Sequence, residues 1–347
     1  MTPVHPELVN AWRRFPRVPV NRWTVRPMRW LTRLIPTPDD SDGARISITI
    51  ARRGDSKPGV PLRIYHPEGI SEPAPVLVWM HGGGLVIGNS RMDDACLRRF
   101  VEELGIVVVS VEYRLAPDSP YPAALDDCYA AMQWVRTHAA RLLVDPDRIA
   151  IGGVSAGGGL AASLAQLAYD RGEVRPVFQL LVYPMLDDRS ALRTERASSR
   201  PMIWTPKDNR FGWESYLQRP VGSDTVPPYA VPARRADLSG LPPAWIGVGT
   251  LDLFFDEDVA YAQRLNRCGV ECELRVVDGA FHGFDFLCRN TPVARSFGDA
   301  QVAALRRQTG VVAAPSTVTP APGLPSHRQG PRRVRARGTA PPRGRAG

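Results

Sequence analysis

The stretch Gly153-Val154-Ser155-Ala156-Gly157 decides the fold of this 347-residue chain. A strand-like run at residues 148–152 precedes it, and an Ala/Leu-rich run with helical character follows at residues 156–169. A G-x-S-x-G sequence between a strand and a helix places the serine on a sharp turn, where only small flanking residues fit. Ser155 would then stand at a helix N-terminus, where the helix dipole favours developing negative charge. The residues therefore predict a strand–turn–helix unit that presents a reactive serine.

The rest of the chain alternates between predicted strands and predicted helices. Strand-like segments cover residues 45–50, 62–66, 76–80, 106–111, 148–152, 177–183, 244–249 and 271–277. Helical spacing covers residues 93–104, 123–140, 156–169 and 256–267. Such alternation is typical of an α/β fold, a mostly parallel sheet with helices on both faces. Residues 186–240 interrupt the rhythm, and we predict that they form an insertion over the sheet edge where ligands bind.

A second glycine-rich motif, His81-Gly82-Gly83-Gly84, directly follows the predicted strand at residues 76–80. Glycines at this point let the backbone approach a substrate closely and direct N–H groups towards it. The backbone N–H groups of Gly83, Gly84 and Ala156 are therefore the predicted donors of an oxyanion hole. We assign His81 the structural task of orienting the loop. A phosphate-binding loop is the alternative for the serine stretch, but the stretch has neither the P-loop lysine nor a G-x-G-x-x-G sequence.

The base that a serine nucleophile needs is predicted to be His282, on a loop after the last predicted strand. Asp252, which follows the strand at residues 244–249, is the predicted carboxylate that orients this histidine. The two residues complete the chain order Ser…Asp…His expected of this architecture. The other candidates are histidines that suit structural or solvated roles and acidic residues that cap a helix: His5, His66, His138, His327, Asp256, Glu257 and Asp258.

Together these residues resemble bacterial members of the hormone-sensitive-lipase-like group of α/β-hydrolases. The resemblance spans roughly residues 45–305 and includes three further pieces: Tyr113-Arg114-Leu115-Ala116-Pro117, Asp252 with Asp256-Glu257, and His282-Gly283-Phe284. It implies the α/β-hydrolase fold with a helical cap, and a serine esterase or lipase with Ser155, Asp252 and His282 as its catalytic triad. Two positions depart from the group, which usually has aspartate at Val154 and glutamate at Asp118.

The resemblance also implies a domain plan and a substrate class. Residues 1–44 and the insertion 186–240 would build the cap, residues 45–310 the catalytic domain, and residues 311–347 a tail outside the family pattern. We expect the substrate to be a small ester with a short to medium acyl chain, hydrolysed through an acyl-enzyme without cofactor or metal. A non-catalytic receptor on the same fold and an amidase or deacetylase using the same triad are the alternatives, and a homodimer stays open.

The net charge of +9 is concentrated in one segment. Seven arginines and no acidic residue lie in residues 311–347, a Pro/Gly-rich stretch that cannot bury enough surface to become ordered. The remaining body is nearly neutral, so we expect it to bind no nucleic acid. The five cysteines have no CxxC spacing and are predicted to be free thiols. No apolar run reaches membrane-spanning length and the N-terminus has no leader-like core, so a cytoplasmic protein is expected.

Residues 1–40 combine seven arginines with aromatic residues that include Trp12, Trp23 and Trp30. A basic amphipathic segment of this kind suits either a membrane surface or helices whose aromatic face packs over a pocket. Prolines interrupt any long continuous helix here, and this favours packing over the pocket.

Overall fold

The computed structural model describes residues 3–14, 18–34, 44–52, 59–193 and 204–311, and Met1–Val312 form one compact unit. The described residues form an eight-stranded sheet. Its strands are β1 (Ala44–Ala51), β2 (Val60–Pro67), β3 (Ala74–Met80), β4 (Val107–Val111), β5 (Val144–Val154), β6 (Phe178–Val182), β7 (Ala244–Gly249) and β8 (Cys272–Val277).

The strands lie in the order β1-β2-β4-β3-β5-β6-β7-β8. Strand β2 runs antiparallel to both β1 and β4, whereas all the pairs from β4 to β8 are parallel. The predicted mostly parallel α/β-hydrolase sheet is confirmed, and each predicted strand overlaps an observed one. We predicted β4 as a central parallel strand. It is parallel to β3 but antiparallel to its other neighbour, β2, because the antiparallel β1–β2 hairpin forms that edge of the sheet.

The described residues also contain ten α-helical segments that flank this sheet or lie above its edge. They are α1 (Val9–Arg14), α2 (Val25–Arg33), α3 (Asp94–Leu104), α4 (Ala123–Thr137), α5 (Ala139–Leu142), α6 (Ala156–Arg171), α7 (Pro206–Leu217), α8 (Phe255–Arg267), α9 (Phe284–Leu287) and α10 (Pro292–Thr309). The helix predicted at residues 123–140 is two segments, since the chain breaks at His138 and resumes as α5. The other predicted helices correspond to α3, α6 and α8.

The centre of the sheet is apolar on both faces. Every residue of β3, β4, β6 and β7 is buried, as expected of parallel strands that helices cover on two sides. The outermost strands β1 and β8 mix buried with exposed residues. The carboxyl ends of the buried strands are therefore rigid points from which the loops of a site can emerge.

Residues 186–240 form no strand at their described positions, consistent with the predicted insertion, and contain α7 and two short 3-10 helices. Helix α7 starts with a capping box in which Thr205 and Asp208 satisfy each other's backbone N–H groups. The Oδ1 atom of Asp208 also accepts the N–H of Val20 at 2.8 Å. This bond ties the N-terminal segment to the insertion, the two pieces from which we predict the cap. Residues 194–203 of the insertion lie outside the described residues.

The N-terminal segment only partly follows its prediction. Trp12 packs against Phe281 with ring centroids 5.1 Å apart and is buried. The prediction that the aromatic face packs inward is wrong for Trp23 and Trp30, which are exposed to solvent. The predicted tail falls outside the described residues from position 312 onward.

No helix within the described ranges combines the length and the apolarity needed to cross a bilayer. The five cysteines, Cys96, Cys128, Cys268, Cys272 and Cys288, are free thiols, as predicted. Within the same described ranges, no group of three or more His, Cys, Asp or Glu side chains is placed to hold a metal ion.

Two glycines set how closely helix α6 approaches strand β3. A Cβ on Gly157 would lie 2.0 Å from the carbonyl oxygen of Met80, and a Cβ on Gly153 would lie 2.4 Å from the carbonyl carbon of Gly157. Neither position can hold a side chain without a backbone shift, since close-packed interiors do not accommodate such overlaps. The G-x-S-x-G turn is therefore held by direct contact between backbones.

Gly157→Ala is expected to lower the free energy of unfolding by about 3 kcal/mol or more, because backbone atoms must move to admit the methyl group. The matched control is Gly298→Ala in helix α10, where the added Cβ would meet the flexible tip of Arg99 at 2.5 Å. Helix propensity should make this control neutral or stabilising by up to about 1 kcal/mol. Urea unfolding followed by circular dichroism measures both variants, and equal losses would contradict the proposed backbone contact.

Candidate active site

Ser155 sits on the turn between β5 and α6 with φ 57° and ψ −119°. A positive φ is strained for a residue with a Cβ and persists only where neighbours enforce it. Here the Ser155 N–H donates to the carbonyl of Val182 at 2.9 Å, and its carbonyl accepts the N–H of Met185 at 2.9 Å. These bonds to the end of β6 hold the turn, so the strained serine is locked at the carboxyl edge of the sheet.

His282 and Asp252 meet Ser155 at this edge. The Nε2 atom of His282 lies 2.9 Å from Oγ of Ser155, and its Nδ1 lies 2.8 Å from Oδ2 of Asp252. The other oxygen of Asp252 accepts the N–H of Phe254 at 2.9 Å. All three side chains are buried. The structure thus brings together the three residues singled out in the sequence, each from a loop that follows a different strand.

Aromatic rings hold the imidazole of His282 on two sides. Phe254 meets it edge-on at 5.1 Å and Tyr183 at 4.7 Å between ring centroids. Tyr183 has φ 35°, and its hydroxyl donates to Oδ1 of Asp285 at 2.8 Å. The sequence analysis missed Tyr183 and Asp285. The position of Tyr183 at the carboxyl end of a predicted strand was the signal that could have found it.

The glycine-rich loop after β3 lies across the cavity from the histidine. Gly83 and Gly84 have φ of 118° and 61°, which strongly favour glycine. A Cβ on Gly84 would lie 2.1 Å from the indole of Trp204, so the insertion packs directly onto the loop. Among the described residues, the N–H groups of Gly83, Gly84 and Ala156 have no hydrogen-bond acceptor. They remain available to a bound oxygen atom.

His81 is buried, and in the described part of the chain it forms no hydrogen bond with Ser155. Its ring stacks on Tyr113 at 4.1 Å, and the Tyr113 hydroxyl donates to the His81 carbonyl at 2.7 Å. Its Nδ1 lies 2.7 Å from the carbonyl oxygen of Gly82. Burial lowers the pKa of His81, so the ring stays neutral at physiological pH. These contacts agree with the structural task assigned to it from the sequence.

The remaining histidines lie elsewhere. His66 belongs to β2, His138 stacks on Trp134 at 4.4 Å, and Nδ1 of His5 accepts the N–H of Glu7. His327 is outside the described residues. None of the three described histidines forms a hydrogen bond with Ser155.

Ser155 and His282 line a cavity of about 440 Å³. Its other walls are mostly apolar and come from the N-terminal segment, the glycine-rich loop, the insertion and the loop after β8: Ala11, Trp12, Val18, Val20, Met28, Ile87, Met92, Val154, Trp204, Phe281, Phe286 and Leu287. Asp93 also lines it and accepts a hydrogen bond from Nε1 of Trp79 at 2.8 Å. Burial raises the pKa of Asp93 to about 7. The site is thus an apolar chamber with few polar groups.

The acidic residues considered as alternatives to Asp252 lie in the first turn of α8. Glu257 accepts the N–H groups of Leu186 and Asp187 at 2.7 and 3.1 Å, and burial raises its pKa to about 8. Asp258 is fully buried, and its carboxyl oxygens have no hydrogen-bond partner in the described part of the chain. Burial and the neighbouring acidic groups raise its pKa well above the ordinary value. Because it accepts the backbone N–H groups of Leu186 and Asp187, Glu257 stabilises the loop after β6.

Comparison with known proteins places this architecture in a family. Residues 77–286 match the model of a protein family that has the alpha/beta hydrolase fold. The chain belongs to this family. Carboxylesterase NlhH of Mycobacterium tuberculosis is 39% identical over 256 residues, which cover 73% of this chain and 80% of that protein. Esterase LipI of the same organism is 34% identical over 262 residues, which cover 75% of this chain and 81% of that protein.

Solved structures give the same result. A bacterial heroin esterase superposes with a TM-score of 0.82 at 35% identity, covering 89% of this chain and 98% of that chain. Esterase LipW from Mycobacterium marinum gives a TM-score of 0.78 at 33% identity, with coverages of 88% and 98%. The resemblance to hormone-sensitive-lipase-like α/β-hydrolases inferred from the motifs is confirmed.

Glu257→Gln is expected to change how stability depends on pH. Folded Glu257 keeps its proton up to about pH 8, whereas the unfolded chain loses it near the ordinary pKa of 4.5. Unfolding between these values releases a proton, so this residue makes the wild-type protein less stable as pH rises. Glutamine keeps the acceptor for Leu186 but does not titrate. The variant should therefore gain stability relative to wild type as pH rises, by up to about 1.4 kcal/mol per unit.

Thermal melts of both proteins from about pH 5 to pH 8 measure this difference. A melting-temperature difference that stays constant across the range would show that Glu257 does not retain its proton in the folded state.

Proposed function

We propose that this carboxylic ester hydrolase acts through Ser155, His282 and Asp252 as its catalytic triad. One observation carries the proposal: His282 lies 2.9 Å from the Ser155 hydroxyl on one side and 2.8 Å from the Asp252 carboxyl on the other. A serine hydroxyl is a weak nucleophile and needs a base within this distance. The base in turn needs a group that selects its tautomer.

The reaction runs in two acyl-transfer steps. In the first, His282 takes the proton of the Ser155 hydroxyl while Oγ attacks the ester carbonyl carbon. His282 then returns the proton to the alcohol oxygen as the carbon–oxygen bond breaks, which leaves an acyl-enzyme on Ser155. In the second step, water loses a proton to His282 and attacks the acyl carbon. His282 then returns the proton to Oγ of Ser155 as the bond between Oγ and the acyl carbon breaks and the acid leaves. Asp252 stabilises the imidazolium that forms in each step.

The tetrahedral intermediate places negative charge on the former carbonyl oxygen. The N–H groups of Gly83, Gly84 and Ala156 are proposed to receive this oxygen, because no described acceptor occupies them. Ala156 is the first residue of α6, so the positive end of the helix dipole adds to the stabilisation. Removal of one such donor typically costs about 3–4 kcal/mol of transition-state stabilisation. The oxyanion hole thus contributes much of the rate acceleration.

Ser155→Ala is expected to lower kcat by about a million-fold, because the three triad residues act together and this change removes their nucleophile. Turnover of p-nitrophenyl butyrate measures the loss. Ser163→Ala is the matched control, because Ser163 is a buried serine two turns further along α6 and does not line the cavity. The control should retain turnover.

A fluorophosphonate probe tests the same residue without a substrate. It should label wild-type protein and Ser163→Ala at Ser155 and leave Ser155→Ala unlabelled. Substantial ester turnover by Ser155→Ala would remove this residue from its proposed task, and unlabelled wild type would favour a ligand-binding protein on the same fold.

The substrate class follows from the cavity. Its apolar walls and volume of about 440 Å³ suit a short to medium acyl chain. Val154 places a methyl-bearing side chain beside the nucleophile, which leaves that wall apolar. Trp204 closes the chamber above Gly84. We therefore propose that the indole of Trp204 limits the length of the acyl group.

Trp204→Leu is expected to shift the acyl preference of p-nitrophenyl esters towards longer chains. In an apolar pocket one methylene is worth about 1–3 kcal/mol, so kcat/KM for longer esters should rise roughly tenfold relative to the acetate. Trp213→Leu is the control for lost packing, because Trp213 is a buried tryptophan of the same insertion, in α7, that does not line the cavity. Identical acyl profiles for the two variants would contradict the proposal. An anilide in the same screen tests amide cleavage.

A further inference from the structure

Helix α2 presents an apolar face to solvent. Its members are Trp23 in the preceding turn and Pro27, Trp30, Leu31 and Leu34, whose spacing of three and four residues places them on one side of the helix. Trp23 is 74% exposed and Trp30 is 61% exposed. We call these five residues the α2 outer face. An amphipathic helix normally turns such a face towards the protein core, so this orientation needs a cause.

The cause is the opposite face of α2, which is anchored to the protein by polar groups. Nε of Arg29 donates to the carbonyl of Val86 at 2.6 Å, and its guanidinium also reaches the carbonyl of Ala116. The amide of Asn89 donates to the carbonyl of Thr32 at 3.1 Å. Val25, on the anchored side, is buried. Rotating the helix to bury the outer face would break these bonds, so the face stays exposed.

Positive charge runs beside the α2 outer face. Residues 8–38 contain seven arginines and no acidic residue. Arg26 and Arg33 lie seven positions apart, on the flank of α2, and the Arg26 side chain is 81% exposed. Its acidic partner Asp118 lies 3.6 Å away and also pairs with Arg29. The flank therefore keeps an excess of positive charge next to exposed tryptophans.

We propose that the α2 outer face docks the protein on the surface of an anionic lipid bilayer. Tryptophan and leucine can insert at the boundary between headgroups and acyl chains, and arginine attracts anionic headgroups. Met28 of the same helix and the exposed Val18 line the cavity of Ser155. Docking through α2 would therefore bring the entrance of the catalytic cavity close to the lipid surface.

Charge argues for a lipid surface over a second copy of the chain. A two-fold dimer on this face would set the same patch against itself and bring the arginine flanks of both copies into one interface. Like charges brought together across an interface destabilise it. An anionic bilayer instead complements the arginines. The proposal does not rest on ester hydrolysis, since binding to vesicles needs no turnover.

The tryptophans make docking directly observable. Of the eight in the chain, Trp23 and Trp30 are exposed, whereas Trp12, Trp79, Trp204, Trp213 and Trp245 are buried and Trp134 is half-buried. Full-length protein is mixed with vesicles of phosphatidylglycerol and phosphatidylcholine that carry brominated acyl chains. We expect quenching of tryptophan fluorescence by these vesicles, and much weaker quenching by vesicles of phosphatidylcholine alone.

Co-sedimentation with the same vesicles compares variants that all keep the arginine-rich tail. Trp23→Ser with Trp30→Ser should weaken binding by about tenfold for each side chain removed from the lipid. Arg26→Gln with Arg33→Gln should weaken it by about fivefold for each charge. Ile48→Ser is the matched control, because Ile48 is 72% exposed on the edge strand β1. It should bind as the wild type does.

Two results would overturn the proposal. Equal binding of wild type and the double tryptophan variant, without quenching, would mean that other basic segments hold the protein on vesicles. The second result is that acrylamide quenches tryptophan fluorescence less as the protein concentration rises, while sedimentation equilibrium shows a dimer. A second copy of the chain would then cover the α2 outer face.

Discussion

Helix α6 begins in direct backbone contact with the end of strand β3, since a Cβ on Gly157 would lie 2.0 Å from the Met80 carbonyl oxygen. Strands β3 and β5 are parallel neighbours, and Met80 pairs with Gly153 across them. The loops that follow the two strands therefore start about 4.8 Å apart, the ordinary spacing between strands. The glycine-rich loop and Ser155 are about seventy residues apart in the sequence, but they follow neighbouring strands and therefore lie close together in the fold. The same holds for β7 and β8, whose loops deliver Asp252 and His282.

This arrangement explains how much the sequence could predict. Strand-like runs marked the sheet, and the loops after β3, β5, β7 and β8 carry the groups proposed for catalysis. Parallel strands end at the same edge of a sheet, so positions after strands are expected to meet there. Ser155, Asp252 and His282 could be found in this way because each has a local signal: a glycine pair or a place directly after a strand.

Other parts of the site have no local signal. Tyr183 supports His282 because β6 ends beside it and because Asp285, a hundred residues later, accepts its hydroxyl. Trp204 reaches the glycine-rich loop only through the fold of the insertion. For helix α2, the composition of residues 1–40 indicated a basic amphipathic segment but not the direction of its apolar face. That direction depends on carbonyl groups of Val86 and Ala116, which accept the Arg29 side chain from distant loops.

Other buried acidic groups lie in the described part of the protein, but His282 hydrogen-bonds to Asp252 and to none of them. Burial raises the pKa values of Asp93, Glu257, Asp258 and Asp285, so their charged forms are disfavoured. Less charge on these groups weakens their repulsion of the Asp252 carboxyl group. Asp252 is the carboxyl group that contacts the imidazole, and it also accepts the Phe254 N–H. The rings of Tyr183 and Phe254 flank the imidazole on two other sides, so aromatic packing and one carboxyl group together fix its orientation.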